Sequence, residues 1–247
     1  MTVTVYTLTE KPHLADQVDQ LGAEAWPAFM LQGNGPHWPL LYDIFAPYQL
    51  LFCDPAGALV AVGHTVPLVW DGTLADLPPT IDEIIVRAEQ AHLSGQAPNT
   101  FSALAAVVSL KLRGQNLSRA ILLEMKALAR RHACTSLIAP VRPTLKSSYP
   151  LTPMERYVEW KRPDGAPFDP WMRVHWRLGA ETLGLAWNTM TVINTVKNWE
   201  QWTGMAFPES GRYVVPGALQ PVEIDCERDS GRYEDPNVWM RHPIGSD

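Results

Sequence analysis

The residues with the clearest chemical use lie in one turn: Arg113, Gly114, Gln115, Asn116, Leu117 and Ser118, followed by Arg119. An apolar run precedes them and an amphipathic pattern follows. The first N–H groups of a helix have no intrahelical partner, and with the helix dipole they make a site for phosphate oxygens. Gly114 permits close backbone approach, and Asn116 tolerates a left-handed conformation better than most residues. Arg113 and Arg119 add charge. Binding of a small polyanion is the chemistry this turn predicts, although a plain strand–helix turn with a glycine in it reads the same over six residues. The charge distribution bears on the choice. Eight basic residues fall between Lys111 and Lys146 against Glu124 alone, so this segment carries +7 and the rest of the chain −13. A cationic patch on an acidic protein suits a small polyanion, and it also suits a solvated helix face.

The elements that must position this turn follow from periodicity. Leu117, Ile121, Met125 and Leu128 recur at spacings of four, four and three, which predicts an amphipathic helix with Arg119, Lys126, Arg130 and Arg131 largely off the apolar stripe. Residues 101–109 and 136–141 read as buried strands, so 101–141 forms strand, turn, helix, strand. Upstream, residues 2–8 alternate as a strand, 13–25 look helical, and 38–45 suggest a second helix. Residues 48–53 and 58–69 read as a hairpin around a turn at 54–57, and Thr80 caps a helix running to His92. Downstream, a helix is expected over 169–183 and a strand over 189–196, with short strands at 213–215, 222–224 and 238–240. Seven of the 22 prolines fall between Pro140 and Pro170, which predicts a long ordered loop. No clear linker divides the chain, so residues 1–247 read as a single domain with an extended C-terminal part.

The turn resembles the signature of the general-control-related N-acetyltransferase (GNAT) superfamily, Gln/Arg-x-x-Gly-x-Gly/Ala between a strand and a helix. Here Arg113 opens it, and Asn116 and Ser118 stand at the two later positions. Asn can supply the same backbone geometry, and the Ser118 hydroxyl either donates to a phosphate or crowds it. The strand end and loop from Ala106 to Gly114, the helix ending at Ala129 to His132, and the strand Leu137 to Pro140 also fit the family. The likeness is firm over about residues 100–141. It implies an α/β (α+β) fold with a mixed, strongly twisted sheet flanked by helices. It implies an acyl-coenzyme A, most simply acetyl-coenzyme A, lying between the strands at 101–109 and 136–141. Backbone groups of Ala106, Val107 and Val108 would pair with its pantetheine arm, and N–H groups from Gly114 through Gln115, Asn116, Leu117 and Ser118 to Arg119 would cradle its pyrophosphate.

The reaction implied is attack of a neutral amine on a thioester, which needs a proton acceptor, an oxyanion donor and an acid for the departing thiolate. No carboxylate lies between Asn99 and Leu110, where many family members keep a glutamate base. On the segment from Asp169 to Gly179 the best register puts Trp176 at the usual tyrosine, with His175 beside it. His64 and Glu83 are alternative bases, and Tyr149 and Tyr157 alternative acids. Each also fits a packing or solvated role. The catalytic set to test is therefore His64, His175 and Tyr157.

Composition excludes other classes. Hydrophobic residues make up 46% and charged residues 19% of 247, an ordinary globular balance. No run of about 18 apolar residues suggests a membrane span, and the start lacks the basic and apolar regions of a secretory signal. Cys53, Cys134 and Cys226 form neither a disulfide framework nor a zinc motif, and no motif supports a cysteine hydrolase. No metal-ligand spacing occurs, so no metal is expected. A net charge of −6 argues against nucleic acid. Ten tryptophans serve packing, or several line a pocket. The acidic stretch from Glu223 to Asp235 reads as a solvated loop, or as an attraction for a cationic amine. Two functions follow: a cytoplasmic acyl-coenzyme A-dependent N-acyltransferase acting on a small-molecule or peptide amine, or a catalytically silent GNAT-fold module that holds coenzyme A. A homodimer is one assembly considered; the sequence fixes neither the acceptor nor the oligomeric state.

Overall fold

The computed structural model describes residues 2–33 and 35–245. In chain order they form β1 (Thr4–Thr7), α1 (Ala15–Ala25), β2 (Leu50–Cys53), β3 (Leu59–Leu68), α2 (Ile81–Leu93), β4 (Thr100–Val108), α3 (Leu117–Arg131), β5 (Ser136–Val141), α4 (Met154–Val158) and α5 (Pro170–Arg177). β6 (Glu181–Ala186), β7 (Thr191–Asn194), α6 (Val196–Thr203), β8 (Gly211–Tyr213), β9 (Val222–Asp225), β10 (Ser230–Glu234) and β11 (Asn237–Pro243) follow. Seven strands make one mixed sheet in the order β1-β2-β3-β4-β5-β11-β6, and four make a second in the order β7-β10-β9-β8.

The large sheet is covered on both faces, which is why β2, β5 and most of β3 are buried at every position. α3 lies on one face through Ile121 and Met125, sharing a core with Tyr157 of α4 and Met172 of α5. A Cβ on Gly63 would sit 2.8 Å from both Ile121 and Met125, so the missing side chain lets α3 approach β3. The other face carries α1, packed on Val62 and Val107, and α2, packed on Val66 and Leu104. In the second sheet Trp199 of α6 packs beside Gly231 and donates its indole N–H to the Gly231 carbonyl at 2.9 Å.

One irregularity shapes the molecule. β4 and β5 are parallel, and their pairing runs only from Thr100–Ser136 to Ser102–Ile138. Beyond it they separate, so the β5-facing edge of β4 has no strand partner from Ala103 onward. At the start of this gap β4 bulges: His64 of β3 faces Ala105 and Thr65 faces Ala103, leaving Leu104 without a partner.

Several sequence expectations change. Residues 38–42 form a 3-10 helix, with Pro39 in the first turn, instead of a longer α-helix. The helix expected over 169–183 ends at Arg177, because Gly179 adopts a φ of +82° and turns the chain into β6. The strand expected over 189–196 stops at Asn194, where Thr195 caps α6 by accepting from the Asn198 N–H. The stretch from Glu223 to Asp235 is a hairpin, β9–β10, whose register pairs Ser230 with Asp225. The proline-rich segment 140–170 contains α4 and a 3-10 turn at Lys146–Ser148.

Candidate active site

The turn after β4 has the geometry its residue types suggest. Gly114 adopts φ +83° and Asn116 φ +62°, both in the left-handed region. Asn116 is the N-cap of α3 yet makes no side-chain capping bond, so the first N–H groups of the helix, at Leu117, Ser118 and Arg119, remain open. A Cβ on Gly114 would meet nothing within 4 Å, so free space lies in front of the turn. Gly114, Gln115, Asn116 and Arg119 are exposed. The turn sits at the end of β4 where the strands separate, so a chain laid along Ala106, Val107 and Val108 would end at it.

Five of the eight basic residues fall into two groups. Arg113 and Arg119 flank the turn, whereas Lys126 donates to the Leu178 carbonyl at 3.0 Å. Lys146 is buried, bonds the carbonyls of Tyr149 and Leu219, and is pulled down by burial to a pKa of about 8. Arg142 forms an ion pair with Asp235 at 3.0 Å and donates to the Gly217 carbonyl at 2.8 Å. These three cations serve internal partners rather than an anion at the turn.

Between the separated strands, on the α1 and α2 face, lies a cavity of about 120 Å³. Leu104, Ala105 and Val107 of β4 and Pro140 of β5 form its floor, and Trp26, Trp38, Tyr42, Met190 and Asn237 add to its walls. Two of the ten tryptophans thus serve a pocket, while Trp176 and Trp187 are exposed. Asp19 of α1 lines it and accepts from the Tyr42 hydroxyl at 2.7 Å. Burial, and then that bond to a carboxylate, push the Tyr42 pKa up, so Tyr42 stays a donor. Among the described residues no cation lies within ion-pair distance of Asp19. Asp235 takes both carboxylate oxygens to Arg142 Nε and also accepts from Tyr233.

His64 lines the cavity, bonded through Nδ1 to Gln49 at 3.0 Å, with Trp38 edge-on and Tyr42 tilted beside it at 5.3 and 6.4 Å between ring centres. Burial pulls its pKa down to about 4, so the ring is neutral at neutral pH. His175 and Tyr157 stand elsewhere. His175 bonds His242 at 2.9 Å, and Tyr157 donates to Asp169 at 2.9 Å. Both belong to the α3 face: Tyr157 shares the α3 core, and His242 projects on the same side of β11 as Val238 and Met240 of that core. Strand pleat puts His64 and Gly63 on opposite faces, which separates His64 from the other two. The exposed Trp176, Glu83, bound to Arg87, and Tyr149, packed on Trp160, do not line the cavity either.

Sequence reading missed Asp19, Gln49, Tyr42 and Asn237. Gln49 and Asn237 carry one signal, each being a polar residue at the mouth of an apolar run. Asp235 was counted within an acidic stretch, and its burial came only from the fold. Asp235→Ala strands Arg142 in the wall and is expected to cost about 3–5 kcal/mol in urea unfolding. The double change Arg142→Leu with Asp235→Leu recovers part of that loss; equal losses would show the pair is solvated.

Among the described residues no cluster of three or more His, Cys, Asp or Glu can hold a metal, and no helix is long and apolar enough to cross a membrane. No protein-family profile matches the chain. It is 34% identical over 249 residues to the arginine N-acetyltransferase avaD of Aspergillus versicolor, covering 89% of this chain and 85% of that one. Its fold is similar to the loading GNATL domain of CurA from Lyngbya majuscula, with a TM-score of 0.68 at 15% identity over 99% and 98% of the chains. It is also similar to GphF, a GNAT-like decarboxylase solved with isobutyryl-CoA, with a TM-score of 0.60 at 16% identity over 99% and 100%. The signature turn, the separated strands and this relationship give one conclusion: the chain belongs to the GNAT superfamily and is an acyl-coenzyme A-dependent N-acyltransferase that moves an acetyl group from acetyl-coenzyme A to an amine.

Proposed function

We propose that the acceptor is arginine or a closely similar cationic amine, taken into the cavity between β4 and β5. The observation that carries this is the chemistry of the walls. Asp19 offers a carboxylate without a cation among the described residues, and Trp38 offers aromatic surface to a cation or its stem, while Trp26 already faces the Arg142 guanidinium at 5.8 Å. The arginine named for the Aspergillus relative supports the same choice.

In this reading the cofactor pyrophosphate would rest at the turn from Gly114 to Arg119, chiefly on the open N–H groups of Leu117, Ser118 and Arg119, since the Gln115 N–H bonds the Leu112 carbonyl at 3.4 Å. The pantetheine runs beside Ala106, Val107 and Val108, on the edge of β4 that lacks a strand partner. The bulge at Leu104 would hold the thioester end, where unpaired backbone would donate to the developing oxyanion. The amine nitrogen bonds to the acyl carbon as the carbon–sulfur bond breaks. The nitrogen loses a proton and the coenzyme A thiolate gains one. Of His64, His175 and Tyr157, His64 is the side chain at the cavity, so we assign it to the amine. A ring with a pKa near 4 is a weak proton store, so water completes the transfer. Met190, just before β7, and Asp235, just after β10, join the large-sheet residues in the walls, which supports one catalytic unit, and the free thiols of Cys53, Cys134 and Cys226 suit a reducing cytoplasm.

The test is release of free thiol from acetyl-coenzyme A with arginine, agmatine, lysine, citrulline and phenethylamine. Arginine is expected to exceed neutral-side-chain citrulline at least tenfold in kcat/KM, with a rate that climbs with pH as the amine deprotonates. Equal use of citrulline would refute the cationic subsite. Firm coenzyme A binding with no turnover of any amine would favour the silent module.

A further inference from the structure

Two lone pairs in the cavity lack partners, and the hydrogen bonds behind them determine which atoms they belong to. Gln49 is buried, and its Nε2 donates to the carbonyls of Phe45 at 2.7 Å and Thr65 at 3.0 Å. Both amide hydrogens are thereby used. Its Oε1 faces His64 Nδ1 at 3.0 Å and can only accept, so Nδ1 carries the ring proton. His64 Nε2 is left as a bare acceptor on a cavity-lining residue. At Asn237, Nδ2 donates to the Thr189 hydroxyl, which lies with the Thr189 N–H on the Asp235 carbonyl, at 3.1 and 3.0 Å. Asn237 Oδ1 is buried with no partner. Turning the Gln49 amide around would set its oxygen against the carbonyls of Phe45 and Thr65.

We propose that His64 Nε2 and Asn237 Oδ1 together receive the N–H groups of the acceptor amine, with Gln49 the positioning residue that holds His64 in the required tautomer. The proposal rests on the cationic-amine reading above. Ammonium and guanidinium groups are donors only, which is the complement of two bare acceptors. A buried acceptor without a donor is unfavourable, so the site is completed by such a ligand. Tyr42 stands beside His64, and Asp19, Arg142 and Asp235 line the same cavity. Burial keeps His64 neutral and its lone pair available.

Nitrogen-15 NMR of the full chain, with His64 assigned by His64→Gln, reads the tautomer directly. The expected result is a protonated Nδ1 and a bare Nε2 down to about pH 5, with Nε2 shifting on addition of arginine. A protonated Nε2 in the free protein overturns the proposal. So does an unshifted Nε2 with every amine in the panel. A shift with another primary amine but not with arginine keeps the acceptor pair and overturns the arginine reading. Asn237→Leu is expected to raise the KM for arginine about tenfold or more, with kcat and acetyl-coenzyme A affinity much less affected. An unchanged KM refutes the role of Asn237. Gln49→Glu places a carboxylate on Nδ1–H and raises the His64 pKa, adding a bend to the acid limb of kcat/KM that the parent lacks. A purely structural Gln49 would scale the whole profile without bending it. If Gln49→Glu does not fold, the parent tautomer and Asn237→Leu still decide.

Discussion

Gly114→Val is expected to abolish the stabilisation that acetyl-coenzyme A gives to the parent protein. A ligand held at 100 times its dissociation constant adds about 2.7 kcal/mol by mass action, which thermal unfolding reads easily. Gly114 has open space where a Cβ would project, so the valine meets no protein atom there and occupies the region in front of the helix start. Its φ of +83° also strains a branched residue locally, at an exposed turn where little packing is lost. Ser118→Glu sets a negative charge among the same N–H groups and is expected to have the same outcome. Arg113→Ala weakens binding less, and its loss shrinks with added salt, as expected for an exposed charge. Calorimetric titration of the three variants measures this. Parent-like binding in all three would place the phosphates elsewhere.

The second large effect is acid sensitivity. His64, His175 and His242 are buried, and burial lowers the pKa of each: to about 4 for His64 and His242, and well below 6.5 for His175. His242 is further disfavoured as a cation by Lys126, and His175 by His242. The paired rings titrate as a unit. The unfolded chain takes up protons near pH 6.5 while the folded chain does not, so stability rises with pH. It is complete above about pH 6.5 and is lost as pH falls from there toward 4. His64 and His242 each contribute roughly 1.4 kcal/mol per pH unit in that window, or about 2 kcal/mol by pH 5, and His175 adds in the same direction. Such losses are a large share of the whole stability of many domains, about 5–15 kcal/mol. Urea unfolding at pH 7, 6 and 5 checks this before most carboxylates titrate. His64→Gln is expected to flatten the slope by one histidine's share. A flat profile in the parent would mean that the rings are charged or solvated when folded.

The reach of sequence reading differs between the turn that opens α3 and the cavity between β4 and β5. The unit from β4 to β5 was legible because its signals are local. A four-four-three spacing buries one helix stripe, small and branched residues suit a covered strand, and Asn116 is among the few residue types that enter a left-handed cap readily. Thr80 was legible for the same reason: it accepts from the Glu83 N–H at 3.0 Å, three residues away. Boundaries failed where the deciding interaction was a turn or a distant partner. Gly179 ended α5 early, and β6 formed only because β11, more than fifty residues later, paired with it.

By itself the sequence determined the left-handed turn at Gly114 and Asn116, the strand–helix–strand unit around it and the family these carry, since each depends on neighbours within a few residues. Tertiary structure alone decided the cavity between β4 and β5. Asp19, Gln49, His64 and Asn237 come from elements spread across the chain and meet only because β4 and β5 separate. It also decided which histidine faces that cavity, because strand pleat sends His64 to the α1 face while β11 sends His242, and with it His175, to the α3 face. And it decided how the basic excess is used: Arg142 and Lys146 are enclosed, and an enclosed charge needs an acceptor at hand, which the distant Asp235 and Leu219 supply.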